Sequence, residues 1–153
     1  MTGSGAKTAV EWLVSVAPDP DACRWEWERN PYGIALLPAG RRWDVLILPA
    51  RLGHPTLDVL NRLTGRPGPV LADSGDTRVA FLVPPGTAGR WIATGVRGAG
   101  DGTWIVVPYP GRPAGGGVRW LIAPDGSGTL TEPALLEAAM HEATAILARG
   151  EDG

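Results

Sequence analysis

One cysteine, two histidines and a single lysine are all that the 153 residues hold of those types. With Cys23 alone, the chain has no intramolecular disulfide and no cysteine-based zinc site. His54 and His141 lie far apart, and neither has ligand neighbours at metal spacing. Charged residues are only 20% against 44% hydrophobic. A disordered chain would show the opposite balance. No apolar run approaches the ~20 residues that span a bilayer, so no membrane partner is expected. Glycine is abundant but has no strict period, which excludes a collagen. Repeats of ~20–50 residues are also absent. Met1 to Ala9 carries no long apolar core of a signal peptide, and a cytoplasmic location is expected. The glycine clusters Gly98–Gly102 and Gly115–Gly117 lack the Lys–Ser/Thr ending of a phosphate-binding P-loop. Ser74-Gly75 lacks the preceding glycine of a nucleophile elbow.

What is present points to one globular domain, the usual content of ~100–200 residues. The expected boundaries are flexible ends at 1–6 and 150–153 around a single domain at 7–149. Thirteen arginines against Lys7, with much alanine, glycine and proline, suggest a GC-rich bacterial coding sequence. The net charge of −2 argues against a general nucleic-acid coat protein, but it averages over a split. Residues 1–40 hold three basic and five acidic groups, residues 41–119 ten and five, and residues 120–153 one and six. Within 78–119, Arg78, Arg90, Arg97, Arg112 and Arg119 face only Asp101. Arginine forks fit phosphate and carboxylate. The cluster is therefore read as a phosphate-facing surface, a dock for the acidic C-terminal segment, or scattered solvated side chains.

Periodicity supplies the elements. Ala6–Val16 carries a weak helical face, and Pro18–Asp21 breaks it. Pro20 and Asp21 open a second helix through Asn30. Ile34–Leu37 and Trp43–Leu48 read as strands, the run Val45–Leu48 as one buried on both faces. Gly53–Thr64 reads as a helix. Further strands are expected at Pro69–Ala72, Arg78–Val83, Trp91–Thr94, Trp104–Val107 and Val118–Ile122, with a glycine-rich loop over Gly95–Gly102. Thr131 reads as the N-cap of an amphipathic helix running to Arg149. Its stripe would pack on the sheet, dock a partner or dimerise. The class is α+β, with helices on a mixed or antiparallel sheet.

Three stretches, in this order, resemble the bifunctional DNA primase/polymerase (prim-pol) domains of the archaeo-eukaryotic primase superfamily. Trp25 through Asn30-Pro31-Tyr32-Gly33-Ile34-Ala35 is similar to the family's tryptophan-rich helix, Asn-Pro turn and first core strand. Ser74-Gly75-Asp76-Thr77-Arg78-Val79-Ala80-Phe81 resembles its Ser-Gly-Gly-x-His-apolar-x-Phe strand. Val96-Arg97, Gly102 to Pro108 and Gly117 to Trp120 resemble its Asp-x-Arg, glycine turn, Tyr-Val-Val-x-Pro and Gly-x-x-x-Trp pattern. The match covers roughly residues 20–125. It implies a two-layer domain around an RRM-like mixed sheet.

Active members of that family transfer nucleotides with divalent metals, which want clustered oxygen ligands. The resemblance places the family's Asp-x-Asp pair on Ile47 and Pro49, its triphosphate-holding His on Arg78 and its third acid on Gly95. None of the three ligand positions keeps a carboxylate. Asp44 is on the same strand, three residues before Ile47. The implied function is a catalytically inactive domain with an accessory or regulatory role in DNA replication, needing no cofactor. Its expected contacts are a nucleotide or single-stranded DNA, through Arg78, Arg90, Arg97 and Arg119, with Trp91 and Trp104 as stacking faces, or a protein partner. Two alternatives remain open. One is a nucleotidyl- or phosphoryl-transfer enzyme with Mg²⁺ or Mn²⁺ on a relocated cluster of Asp73, Asp76 and Asp101. The other is an interaction module using the C-terminal helix.

Overall fold

The computed structural model describes residues 2–30, 33–65, 67–91, 95–111 and 117–152. Their architecture turns on β2 (Asp44–Pro49). Leu46 and Leu48 enter one core and Val45 and Ile47 the other, so this strand is covered on both faces. From β2 the chain passes through α3 (Ala50–Leu63), β3 (Val70–Ala72), β4 (Arg78–Val83) and the short α4 (Thr87–Arg90) to β5 (Arg97–Ala99). The strand order is β5-β2-β4-β3-β7, with β7 at Arg119–Ile122. Because β4 lies between β2 and β3, β2-α3-β3 is a split β-α-β unit. The order β5-β2-β4-β3 is that of an RRM-like sheet.

A second split unit would return from β4 to β5 through a full helix. Here α4 has four residues, and the place beside α3 is taken by α5 (Pro133–Asp152). Leu136, Ala139, Met140 and Ala143 of α5 meet Leu57, Val59 and Leu60 of α3 over Val70, Val79 and Phe81. The stripe that a partner would have used is thus largely spent inside the molecule.

The opposite face carries α1 (Thr2–Val14), α2 (Pro20–Arg29) and a two-stranded sheet of β1 (Ile34–Pro38) and β6 (Trp104–Pro108). Leu13, Val14, Trp27, Leu37 and Val107 pack there against Val45, Leu71 and Leu82. Asp19 caps α2 by accepting the Ala22 N–H at 3.1 Å, with Pro20 in the first turn. Outward from this small sheet, Ile34, Leu36, Trp104 and Val106 stand exposed.

The α+β class and the RRM-like order are as expected. Among the described residues every pairing is antiparallel rather than mixed, and the second small sheet adds a layer beyond the expected two. α1 begins at Thr2, ahead of Ala6, and α5 runs past Arg149. α3 begins at Ala50, whose N–H bonds the Thr77 carbonyl at 2.8 Å. Trp91 is not in a strand, and Ile92–Thr94 lie outside the described residues. The expected glycine loop instead contains β5. A Cβ on Gly98 would stand 3.0 Å from the Ala88 Cβ, so glycine is what lets α4 pack on this edge strand. Thr131 does not cap α5: its hydroxyl accepts the buried Gly68 N–H at 3.0 Å.

Candidate functional site

At one end of the large sheet, three adjacent strands bring together the positions singled out by the sequence. Pro49 of β2 pairs with Arg78 of β4, and Ile47 of β2 pairs with Arg97 of β5. Gly95, at φ +83°, lies two residues before Arg97, toward Pro49. Side chains alternate along strands. Arg78 therefore shares a face with Ala80 and Leu82, and Arg97 shares the same face with Ala99. Both arginines are exposed and make no salt bridge among the described residues. They form a cationic sheet end whose centre is Ile47 and Pro49.

The other two arginines do not join them. Arg119 opens β7 opposite Ala72 and projects from the α3 side of the sheet. Its Nη2 donates to Asp76 Oδ1 at 3.0 Å, and His54 Nε2 lies 2.8 Å from the same oxygen. Gly53 makes this meeting possible. A Cβ there would stand 2.5 Å from the Val79 Cβ, so only glycine lets α3 lie close enough on β4 to deliver His54. Arg90 closes α4, beyond the Val83 end of β4, far from Arg78. Trp91 is half-buried against the α3–α5 core, and its indole N–H has no partner among the described residues. Trp104 is exposed, but on the outward face of the small sheet.

The carboxylates of the β3–β4 turn are already engaged. Asp73 Oδ1 accepts the N–H groups of Thr77 at 2.7 Å and Arg78 at 3.0 Å, and Oδ2 accepts the Thr77 hydroxyl. The Thr77 hydroxyl bond, with the two N–H bonds, holds the Asp73 carboxyl below its ordinary value. Asp76 sits at φ +53° in the left-handed region, which aspartate tolerates better than most residues. The His54 bond first, then Arg119, lowers its carboxyl as well. Asp101 follows β5 beside Gly40, at the Asp44 end of β2. β2 has six residues, so the strand separates its two ends by roughly 17 Å. The expected cluster of Asp73, Asp76 and Asp101 is therefore not assembled. Among the described residues no three His, Cys, Asp or Glu side chains converge as metal ligands. Asp44 pairs with Val83, so it cannot stand in for a carboxylate at Ile47 or Pro49.

Sequence reasoning missed the His54–Asp76–Arg119 contact, which joins a helix, a turn and a strand far apart in the chain. It also missed the burial of Asp44, which is only 2% exposed. A lone acid heading the apolar run Val45–Leu48 was the one available signal.

No protein-family model, no curated protein and no solved structure matches this chain.

Proposed function

We propose that this chain is a catalytically inactive primase/polymerase-like domain with an accessory role in DNA replication, keeping phosphate contact through Arg78 and Arg97. The observation that carries the reading is the sheet end itself. The positions assigned by resemblance to two metal ligands, a third acid and a triphosphate ligand fall on β2, β4 and the approach to β5, side by side. On that assignment the metal positions carry no ligand side chain in this chain, whereas the phosphate position carries an arginine. Ile47 and Pro49 offer no ligand oxygen, whereas Arg78 presents a guanidinium fork suited to phosphate. Asp73 and Asp76 are tied to their own loop, to His54 and to Arg119, and this disfavours a relocated metal site.

The test is binding of fluorescent single-stranded DNA and a labelled nucleoside triphosphate across a salt series, with and without Mn²⁺. Log affinity should fall linearly with log salt, by about 0.7 per phosphate contact on single strands. Arg78→Ala and Arg97→Ala should each weaken binding and flatten that slope, while Arg90→Ala should not. Template-dependent nucleotide incorporation with Mn²⁺ would overturn the inactive assignment. Absence of binding at low salt would overturn the phosphate contact. A second reading, accessory action through protein contact alone, is favoured by the exposed face of Ile34, Leu36, Trp104 and Val106. Sedimentation checks its simplest form: self-association at high concentration that Leu36→Lys abolishes.

A further inference from the structure

The small sheet leaves one long edge open. β1 pairs with β6 in a register that sets Ile34 against Pro108 and Pro38 against Trp104. The ladder runs one step further, where the Ala39 N–H donates to the Thr103 carbonyl at 2.9 Å. Antiparallel strands bond through alternate residues. Ala35 and Leu37, in step with Ala39, therefore turn their backbone groups toward β6, and Ile34 and Leu36 turn theirs the other way. No other described strand lies on that side. On the far edge, by contrast, the Pro108 carbonyl accepts the indole N–H of Trp120 in β7 at 2.9 Å. Proteins usually blunt an open edge with a lysine, a bulge or a covering element. Ile34-Ala35-Leu36-Leu37 has no lysine, and its register is unbroken.

A groove of about 380 Å³ runs along this edge. Three consecutive residues, Ile34, Ala35 and Leu36, form one wall. Side chains alternate between faces, so a groove that touches all three follows the edge of the strand rather than a face. Asp19, the cap of α2, forms the other wall with Ala22, Cys23 and Glu26, at the spacing of one helical face. Among the described residues no basic side chain lines the groove. The cations of α2 are already committed. Arg24 is held by Glu11 at 2.6 Å and Asp21 at 2.7 Å, and Arg29 lies over the Trp25 ring. Glu26 makes no salt bridge among the described residues. Burial first, and then the Glu26 charge, raise the Cys23 thiol above its ordinary value, so the field of this acid reaches the groove wall.

We propose that β1 takes up an extended basic peptide segment of another protein as an added antiparallel strand. Backbone bonds to Ile34 and Leu36 would supply affinity and the two walls specificity, the general logic of strand addition. Peptide residues opposite Ile34 and Leu36 would be apolar and lie beside those exposed side chains on the outward face. The residues between them would turn inward over Ala22 and Cys23. There an arginine or lysine stem covers apolar surface while its head reaches Glu26 and Asp19. A second copy of this chain fits less well. Ile34-Ala35-Leu36-Leu37 offers no cation, and pairing two β1 strands would line one ribbon with the Asp19 and Glu26 of both copies. The groove shares no residue with the arginine-bearing sheet end, so it stands apart from the phosphate reading.

Calorimetric titration of the whole chain with an acetylated, amidated peptide of alternating arginine and valine, matched in length to β1, tests the proposal. The peptide should bind saturably. In an antiparallel pair the valines opposite Ile34 and Leu36 donate their N–H groups to β1. N-methylation of the valines keeps every charge but removes those donors, and should weaken binding about tenfold or more, the scale of one or two lost hydrogen bonds. N-methylation of the arginines, whose N–H groups face away from β1, should leave most of the affinity. Glutamate in place of arginine should abolish saturable binding. Glu26→Gln, at an exposed position that does not endanger folding, should weaken the arginine peptide by about two- to fivefold, the range of an exposed ion pair. Arg78→Ala should leave this binding unchanged. Equal losses from the two methylations, equal binding of the glutamate peptide, insensitivity to Glu26→Gln, or no saturable binding would each overturn the proposal. So would a dimer of the chain alone, seen by sedimentation, that the peptide dissociates, because a second copy would then be the occupant of the edge.

Discussion

Gly53→Ala should destabilise the protein, against the usual trend for helices. At an open helical position this change gains up to about 1 kcal/mol in propensity. Gly53 is buried in α3, and the added Cβ would stand 2.5 Å from the Cβ and 2.8 Å from the Cγ2 of Val79. Val79 is itself fully buried in β4. Its Cβ is fixed to the strand, so rotation cannot relieve the overlap, and helix and sheet must part. Overpacking of a tight core costs about 1–3 kcal/mol. Taking the upper end and subtracting the propensity gain leaves a net loss of roughly 2 kcal/mol. For a chain of this size that lowers Tm by about 4–8 °C. The readout is calorimetry on Gly53→Ala, Val79→Gly and the double variant. If the clash is the cause, Val79→Gly, which removes the Cβ as well as the Cγ atoms, makes room for the new methyl. The double variant should then be more stable than the two single effects sum to, by about 0.5–3 kcal/mol of coupling. The shift of α3 should also move His54 away from Asp76, visible as a change in the His54 ring resonances. A stabilised Gly53→Ala variant, or strictly additive effects, would refute the reasoning.

Thr131→Val removes the hydroxyl that satisfies the buried Gly68 N–H, and should cost about 1–3 kcal/mol as a lower urea midpoint with an unchanged slope. The Asp76 carboxyl is held below its unfolded value by His54 and Arg119. Its stabilising contribution is therefore complete above pH ~4 and lost as pH falls through the depressed folded value. Acid titration of Asp76→Asn should show a shallower loss of stability in that range than the parent chain. Placing acids at the three positions that the proposed reading assigns to metal ligands, as Ile47→Asp, Pro49→Asp and Gly95→Asp together, should on that reading create Mn²⁺ binding detectable by paramagnetic resonance. A folded triple variant that binds no Mn²⁺ would count against the positional correspondence.

Local pattern carried much of the architecture. The apolar run Val45–Leu48 signalled a strand buried on both faces, and β2 is that strand. The leucines at 57, 60 and 63 marked α3, although its first turn was hidden because it is closed by Thr77 from another element. β5 was invisible because nothing in Arg97-Gly98-Ala99 favours a strand. Pairing with β2 and the close approach of Ala88 create it. Thr131 reads as a cap by spacing, but a contact with Gly68, 63 residues earlier, claims its hydroxyl. The same limit hid the site: His54 and Arg119 stand 22 and 43 residues from Asp76. The arginine excess at 78–119 was plain in the sequence, but its division between two faces and two ends of the sheet depends on register alone.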